Sequence, residues 1–269
     1  MKQVRVIILR TAGTNCDQET VFAFKTLGAL VDLVHIKKLF SATVKLEDYH
    51  ILVIPGGFSY GDDIASGRIL ANELRLRLGE DIKRFIGEGK LIIGICNGFQ
   101  VLVKAGVLPG SRGNSAEGSL RFLQEATLTT NDSARFEDRW VYLKPEGRCV
   151  WTMGIKDIIY LPVAHGEGKF VVWDESIQRR LQERNQIAFR YCSPSGGSPR
   201  YPENPNGSLE DIAAITDESG RILGLMPHPE RHFLGTHHPR WTRLEKKSEY
   251  GDGARILANG INYANKKFL

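Results

Sequence analysis

Residues 90–100 read Lys90-Leu91-Ile92-Ile93-Gly94-Ile95-Cys96-Asn97-Gly98-Phe99-Gln100, an apolar run that meets a cysteine and passes at once into helical spacing. Leu91 to Ile93 are apolar and partly β-branched, as a strand buried on both faces of a parallel sheet requires. Val101, Leu102 and Ala105 then recur at the helix period. Gly94 and Gly98 stand two residues either side of Cys96. That is the spacing of a nucleophile elbow, a strained turn that admits only small neighbours and lifts its central side chain clear of the backbone. A thiol there sits at a helix N-terminus, whose partial positive charge and free N–H groups favour the reactive thiolate. A buried structural cysteine is the commoner fate of the residue, and this stretch alone leaves both readings open.

Upstream, strand and helix patterns alternate. Val4 to Leu9 reads as a strand, Asp17 to Leu27 as a helix capped by Asp17 and closed by Gly28, and Leu30 to Ile36 and Ile51 to Pro55 as strands. Arg68 to Ile86 is an amphipathic helix with a break expected near Gly79. This order predicts an α/β fold with a doubly wound, mostly parallel sheet flanked by helices, whose ligands bind at the carboxyl ends of the strands. Pro55-Gly56-Gly57 and Cys96 both lie at such ends.

Downstream, short apolar runs at Ala126 to Thr130, Trp140 to Leu143, Ile158 to Val163, Phe170 to Trp173 and Gln186 to Tyr191 predict antiparallel additions to the same core. Ser193 to Ser208 is a long Pro-, Gly-, Ser- and Asn-rich loop. Ile212 to Thr216 and Arg221 to Met226 flank the hairpin signal Asp217-Glu218-Ser219-Gly220. Asp252 is placed to cap a final helix through Ala264. The whole chain, 1–269, reads as one domain, with 233–269 a C-terminal extension of it that ends in this helix.

Composition permits enzyme chemistry without choosing one. The 269 residues are 42% hydrophobic and 25% charged, enough chain for one large soluble domain. Cys16, Cys96, Cys149 and Cys192 form no C-x-x-C pair, so no zinc ribbon or redox dithiol is indicated and a reducing compartment fits. With no leader-like apolar region and no run of 18 apolar residues, the expected location is cytoplasmic, with no membrane partner. The net charge of +5 is modest and mostly interleaved, and argues for no nucleic acid. The exception, Arg231 to Lys247, mixes five Arg and Lys residues with His, Phe and Trp; a solvated or partner-facing surface is the expected reading of so short a run.

The second chemical signal is Met226-Pro227-His228-Pro229-Glu230. Pro229 disfavours helix at His228. In extended chain, residues two apart share a side, so His228 and Glu230 can act as a base and its orienting carboxylate. With Cys96 they complete a nucleophile, base and orienter. Taken alone, the segment reads more readily as an ordinary polar loop.

Together, Gly94-Ile-Cys-Asn-Gly-Phe-Gln100 and Pro227-His-Pro-Glu230 resemble the class I glutamine amidotransferases, whose Cys-His-Glu triad lies on a doubly wound, flavodoxin-like sheet. Pro55-Gly-Gly-Phe-Ser-Tyr-Gly-Asp-Asp63, Thr14-Asn-Cys-Asp17, Arg135-Phe-Glu137, Pro162-Val-Ala-His-Gly-Glu-Gly168 and Asn204-Pro-Asn-Gly-Ser208 are similar to the glutaminase subunits of phosphoribosylformylglycinamidine synthases. The resemblance spans residues 1–232. After Arg231 the chain is longer than the resemblance leads one to expect.

The resemblance implies glutamine hydrolysis by Cys96, His228 and Glu230, an oxyanion hole from the N–H groups of Gly57 and Asn97, and glutamine contacts at Gln100, His165 and Gly166. His165 and Glu167 could by chemistry be an acid–base couple or two metal ligands, but no third ligand stands at sensible spacing, and no metal is expected. Cys16 is the rival thiol; it lacks the flanking glycines, and a structural or interface role is expected. Without a G-x-x-x-x-G-K-[ST] loop the chain should carry no cofactor, leaving ATP and Mg²⁺ to a large synthetase subunit, with a small accessory subunit as a further candidate partner. The alternatives are a class I amidotransferase subunit of another synthetase, a cysteine peptidase or hydrolase of related fold, and a non-catalytic regulatory subunit.

Overall fold

The computed structural model of the chain describes residues 2–110, 122–245 and 247–269. Lys246, one of the basic residues singled out above, falls outside them. The nine-stranded main sheet takes the order β2-β1-β3-β4-β11-β10-β9-β6-β7. These strands are β1 (Arg5–Arg10), β2 (Leu30–His35), β3 (Ile51–Ile54), β4 (Leu91–Ile95), β6 (Glu137–Pro145), β7 (Ile159–His165), β9 (Ile187–Cys192), β10 (Ile212–Thr216) and β11 (Ile222–Leu225). From β2 to β11 the pairings are parallel, and from β11 to β7 they are antiparallel. The predicted antiparallel additions are thus present, with one difference. β5 (Ala126–Thr129) and β8 (Lys169–Val172) leave the main sheet and pair with each other.

The parallel half buries its strands on both faces, which explains their continuous apolar runs: every residue of β3 and β4 is buried. Helices α1 (Asp17–Thr26), α3 (Arg68–Arg77), α4 (Gly79–Gly87) and α5 (Asn97–Lys104) connect these strands or cover them, and the expected break falls at Leu78. A short helix, α2 (Ile36–Phe40), was not predicted from the sequence. Helix α6 (Glu175–Glu183) is capped by Asp174, whose carboxylate accepts from the Ser176 and Ile177 N–H groups.

Helix α5 can lie close to β4 and β11 because glycine stands under it. A Cβ on Gly224 would come within 2.1 Å of the Phe99 ring, and one on Gly94 within 2.5 Å of the Gly98 carbonyl oxygen. Helix α7 (Asp252–Phe268) turns Ala254, Ile256, Leu257, Gly260, Ile261 and Ala264 inward. It joins the core at Trp151, whose ring leaves no room for a Cβ on Gly260.

Two capping expectations are corrected. The residue preceding α1 is Cys16, fixed by its N–H bond to the Gly56 carbonyl, and no side chain caps that helix; Asp17 instead faces Arg10 at 3.4 Å. The residue preceding α7 is Gly251, and Asp252 spends its carboxylate on the Tyr160 N–H at 2.9 Å, tying the helix to β7. In both cases a tertiary partner outcompetes the local one.

Candidate active site

The carboxyl ends of β1, β3, β4 and β11 lie on one side of the sheet because these strands run parallel. From those ends emerge Cys16, the Gly56-Gly57 loop, Cys96, and the His228–Glu230 segment. Four separate stretches of sequence meet there.

Cys96 joins β4 to α5 with φ 51° and ψ −104°. A non-glycine residue in this region carries about 1–3 kcal/mol of strain and persists only where its surroundings hold it. They do so here through both peptide groups: the Cys96 N–H donates to the Leu225 carbonyl at 2.8 Å, and its carbonyl accepts from Phe99 and Gln100 at 3.0 and 3.1 Å. The thiol is buried and points its hydrogen toward the Ala164 carbonyl, 3.6 Å away.

His228 is extended (φ −103°, ψ 94°), as the following proline requires, and its N–H is anchored on the Pro162 carbonyl at 2.8 Å. The orienter is reached differently from the expectation. Glu230 lies in a 3₁₀ turn, Pro229–His232, so the turn rather than extended alternation brings its Oε1 to 2.6 Å from His228 Nδ1. Both side chains are buried. Burial opposes charge on the imidazole, but the Glu230 carboxylate, helped by the Cys96 and Cys16 thiols, outweighs it and holds the pKa well above the ordinary histidine range. The imidazole is therefore oriented and poised to hold a proton.

Gly57 has φ 140°, and a Cβ there would meet the Asn15 nitrogen at 2.7 Å and the Gly13 oxygen at 2.8 Å. Only glycine allows the loop after β3 to lie this close to the Gly13–Cys16 turn. The bonds holding the two segments together run from Phe58 N–H to Gly13 and from Cys16 N–H to Gly56, so the Gly57 N–H is not one of them. The Asn97 N–H, first in its helix, has no helical carbonyl one turn earlier to receive it. The Asn97 side chain accepts from the Ser59 N–H at 3.1 Å and donates to Asp62 at 3.2 Å and Gln100 at 3.0 Å.

Gln100 is buried rather than solvated on a helix surface, and its amide nitrogen donates to the Glu167 carbonyl at 2.6 Å. It ties α5 to the 165–168 turn. His165 is likewise an internal hub, with Nδ1 at 3.2 Å from Asn131 Oδ1 and Nε2 at 3.4 Å from the Asn206 amide. Burial, with His228 adding, pushes its pKa down to about 4, so it is neutral at physiological pH. The Gly166 carbonyl accepts from the Asn131 N–H at 3.0 Å. Glu167 approaches Lys104, a buried lysine whose pKa is lowered by burial, at 4.0 Å.

The sequence reading undervalued two neighbours. Cys16 lies against His228, and Arg231 donates to Cys16 Sγ at 3.2 Å and to Glu19 Oε1 at 3.2 Å. Arg231 is thus part of the site's wall. The rest of its basic segment folds elsewhere: His232, His238, Trp241 and Lys247 line a hollow against Tyr160. Among the described residues no helix is long and apolar enough to cross a membrane.

Comparison with known proteins agrees with this geometry. The family of CobB/CobQ-like glutamine amidotransferase domains matches residues 3–264, which takes in most of the C-terminal segment beyond Arg231. The chain is 49% identical over 268 residues to the phosphoribosylformylglycinamidine synthase subunit PurQ of Dehalococcoides mccartyi, covering 99% of this chain and 100% of that one. It is 42% identical to the subunit of the same name from Methanococcus maripaludis, covering 97% and 98%. Among solved structures, a chain of PurLQS from Thermotoga maritima superposes with a TM-score of 0.72 at 29% identity, covering 97% of this chain and 99% of that one. With a doubly wound sheet, a strained cysteine at its elbow and these relatives along nearly its whole length, the chain belongs to the CobB/CobQ-like glutamine amidotransferases and, within them, to the PurQ subunits of phosphoribosylformylglycinamidine synthase.

Proposed function

We propose that Cys96, His228 and Glu230 hydrolyse the side-chain amide of glutamine and that the ammonia is used by a synthetase partner to convert formylglycinamide ribonucleotide to formylglycinamidine ribonucleotide. The observation that carries the reading is the meeting of the ends of β4 and β11, with a strained cysteine beside a histidine already oriented by a carboxylate at 2.6 Å. His228 takes the Cys96 thiol proton as the sulfur attacks the amide carbon. The oxyanion that forms accepts from the N–H groups of Gly57 and Asn97, each such donor being worth about 10²–10³ in rate. His228 passes its proton to the amide nitrogen, the C–N bond breaks, and ammonia leaves a glutamyl thioester. Water, deprotonated by His228, then attacks the thioester and releases glutamate and the thiol.

Gln100, His165 and Gly166 serve the glutamine pocket by shaping its wall. Gln100 and His165 are committed to protein partners, so they act on the substrate through the turn they hold. ATP and Mg²⁺ belong to the large synthetase subunit, with a small accessory subunit as a further member of the complex. The chain acts as one amidotransferase domain, 1–269, because α7 packs into the same core. The test is Cys96→Ala in the assembled complex: glutamine-dependent synthesis is lost while synthesis from added ammonia continues. If Cys96→Ala kept glutamine use and Cys16→Ala lost it, the nucleophile would be the other thiol.

A further inference from the structure

Beside the nucleophile, Cys16, a thiol that glutamine hydrolysis does not call for, meets His228 and Glu230 in one set of donors. One donor atom each from Cys16, His228 and Glu230 lies within 4.8 Å of the other two, and all three residues are buried. One polar atom in this cluster, Glu230 Oε2, is buried with no hydrogen-bond partner in the structure. A carboxylate oxygen left alone in the interior is costly, and a cation is what most directly satisfies it.

We propose that Cys16, His228 and Glu230 form a site for one zinc-class divalent cation, which on binding disables the base of the triad. The donor set is that of a zinc site: one thiolate, one imidazole and one carboxylate, with bonds of about 2.0–2.3 Å. Three protein ligands leave a fourth position open. Ligand atoms of such a site stand about 3.5 Å apart, so the present spacing closes around an ion with a movement of about 1 Å. The thiolate selects zinc or cadmium and disfavours magnesium, which prefers oxygen ligands and keeps its waters. The site can therefore coexist with magnesium-dependent chemistry on a partner.

Charge and protons balance. The ion takes the place of the proton on the imidazole nitrogen facing Glu230 and of the Cys16 thiol proton, so two protons leave for each divalent ion and the net charge of the buried cluster is unchanged. Arg231, 3.2 Å from Sγ and also bonded to Glu19, supports the thiolate once it forms. Neither Cys149 nor Cys192 belongs to a comparable cluster among the described residues.

The block on turnover rests on the hydrolytic role of His228; the metal site rests on the three donors alone. The test titrates cadmium chloride into the purified full chain and follows the ultraviolet charge-transfer band of a cadmium-bound thiolate, for the wild type, Cys96→Ala, Cys16→Ser and Glu230→Gln, with circular dichroism to establish that each is folded. The expected result is a wild-type band and affinity in Cys96→Ala, loss of the band in Cys16→Ser, affinity weakened by about 10–100-fold or more in Cys16→Ser and Glu230→Gln, and no saturable binding of magnesium. A band that survives in Cys16→Ser, or that disappears in Cys96→Ala, would place the ion on another thiol and overturn the proposal. So would the absence of cadmium binding by the wild type. Cadmium or zinc bound as expected but without effect on glutamate release by the assembled complex would instead sink the assignment of His228 as the base.

Discussion

One added methyl group on Gly98 tests whether the distance between α5 and the end of β3 sets the chemistry. A Cβ at this position would stand 1.9 Å from the Ile54 carbonyl oxygen and 2.7 Å from its carbon, where real Cβ atoms come no closer than 3.0 Å. The obstacle is backbone, so no rotamer change relieves it. In Gly98→Ala the helix has to retreat from β3 by about 1 Å. Cys96 opens that helix, and Ile54 leads directly into Pro55-Gly56-Gly57, so the retreat separates the sulfur from the Gly57 N–H proposed as an oxyanion donor. A misplacement of about 1 Å costs about 10²-fold in rate. Stability should change less. Overpacking costs about 1–3 kcal/mol, offset by about 1 kcal/mol because alanine is the better helix former. The assay is glutamate release by the assembled complex, with ammonia-dependent synthesis as the control for an intact partner and a thermal melt as the control for folding. Wild-type turnover with an unchanged melting temperature would refute the reasoning.

Three further outcomes are expected. His228→Ala should cost about 10²–10⁴ in glutamine turnover. Glu230→Gln should cost less, since an amide oxygen can still accept from Nδ1 but cannot hold an imidazolium by charge; steady-state rates rank the two, and near-normal turnover by His228→Ala would remove it from the mechanism. His165, with its pKa lowered from 6.5 to about 4, binds its proton more weakly folded than unfolded, so its contribution to stability is complete above pH 6.5 and is lost as the pH falls toward 4. Denaturant titrations of the wild type should lose roughly 3 kcal/mol more than those of His165→Gln across that window, and equal losses would contradict the buried neutral histidine. Finally, the purified chain alone should release glutamate slowly and gain activity with its synthetase partner, ATP and ribonucleotide, because the Gly56-Gly57 and 165–168 turns that line the site are loops a partner can reposition; full turnover by the isolated chain would rule this out.

Local chemistry made much of the fold legible in the sequence. Continuous apolar runs marked β1, β3 and β4 because strands covered on both faces need no polar alternation. The Gly94-x-Cys96-x-Gly98 spacing marked the elbow because only glycine tolerates the approach of α5 to β3 and β4. Pro229 marked His228 as extended. The antiparallel strands of the second half were visible as elements but not as partners, since nothing in Ala126 to Thr129 or Lys169 to Val172 says that these two pair with each other rather than with the main sheet. Capping failed for a related reason: Asp17 and Asp252 carry the right side chain for a cap, but Asp17 lies inside its helix and faces Arg10, and Asp252 found a better partner 92 residues away in Tyr160.

At the candidate site, the sequence alone singled out the chemical types and their order, Cys96 then His228 then Glu230, because each is announced by its own neighbours. Tertiary structure decided which groups meet. Cys16 and Arg231 are 215 positions apart and carry no local signal of one another, yet the parallel alignment of β1 with β3, β4 and β11 brings them to 3.2 Å beside the same imidazole. It likewise decided that Gln100 and His165 are buried hubs rather than solvated side chains, because burial depends on what packs over a residue and not on its own flanking sequence.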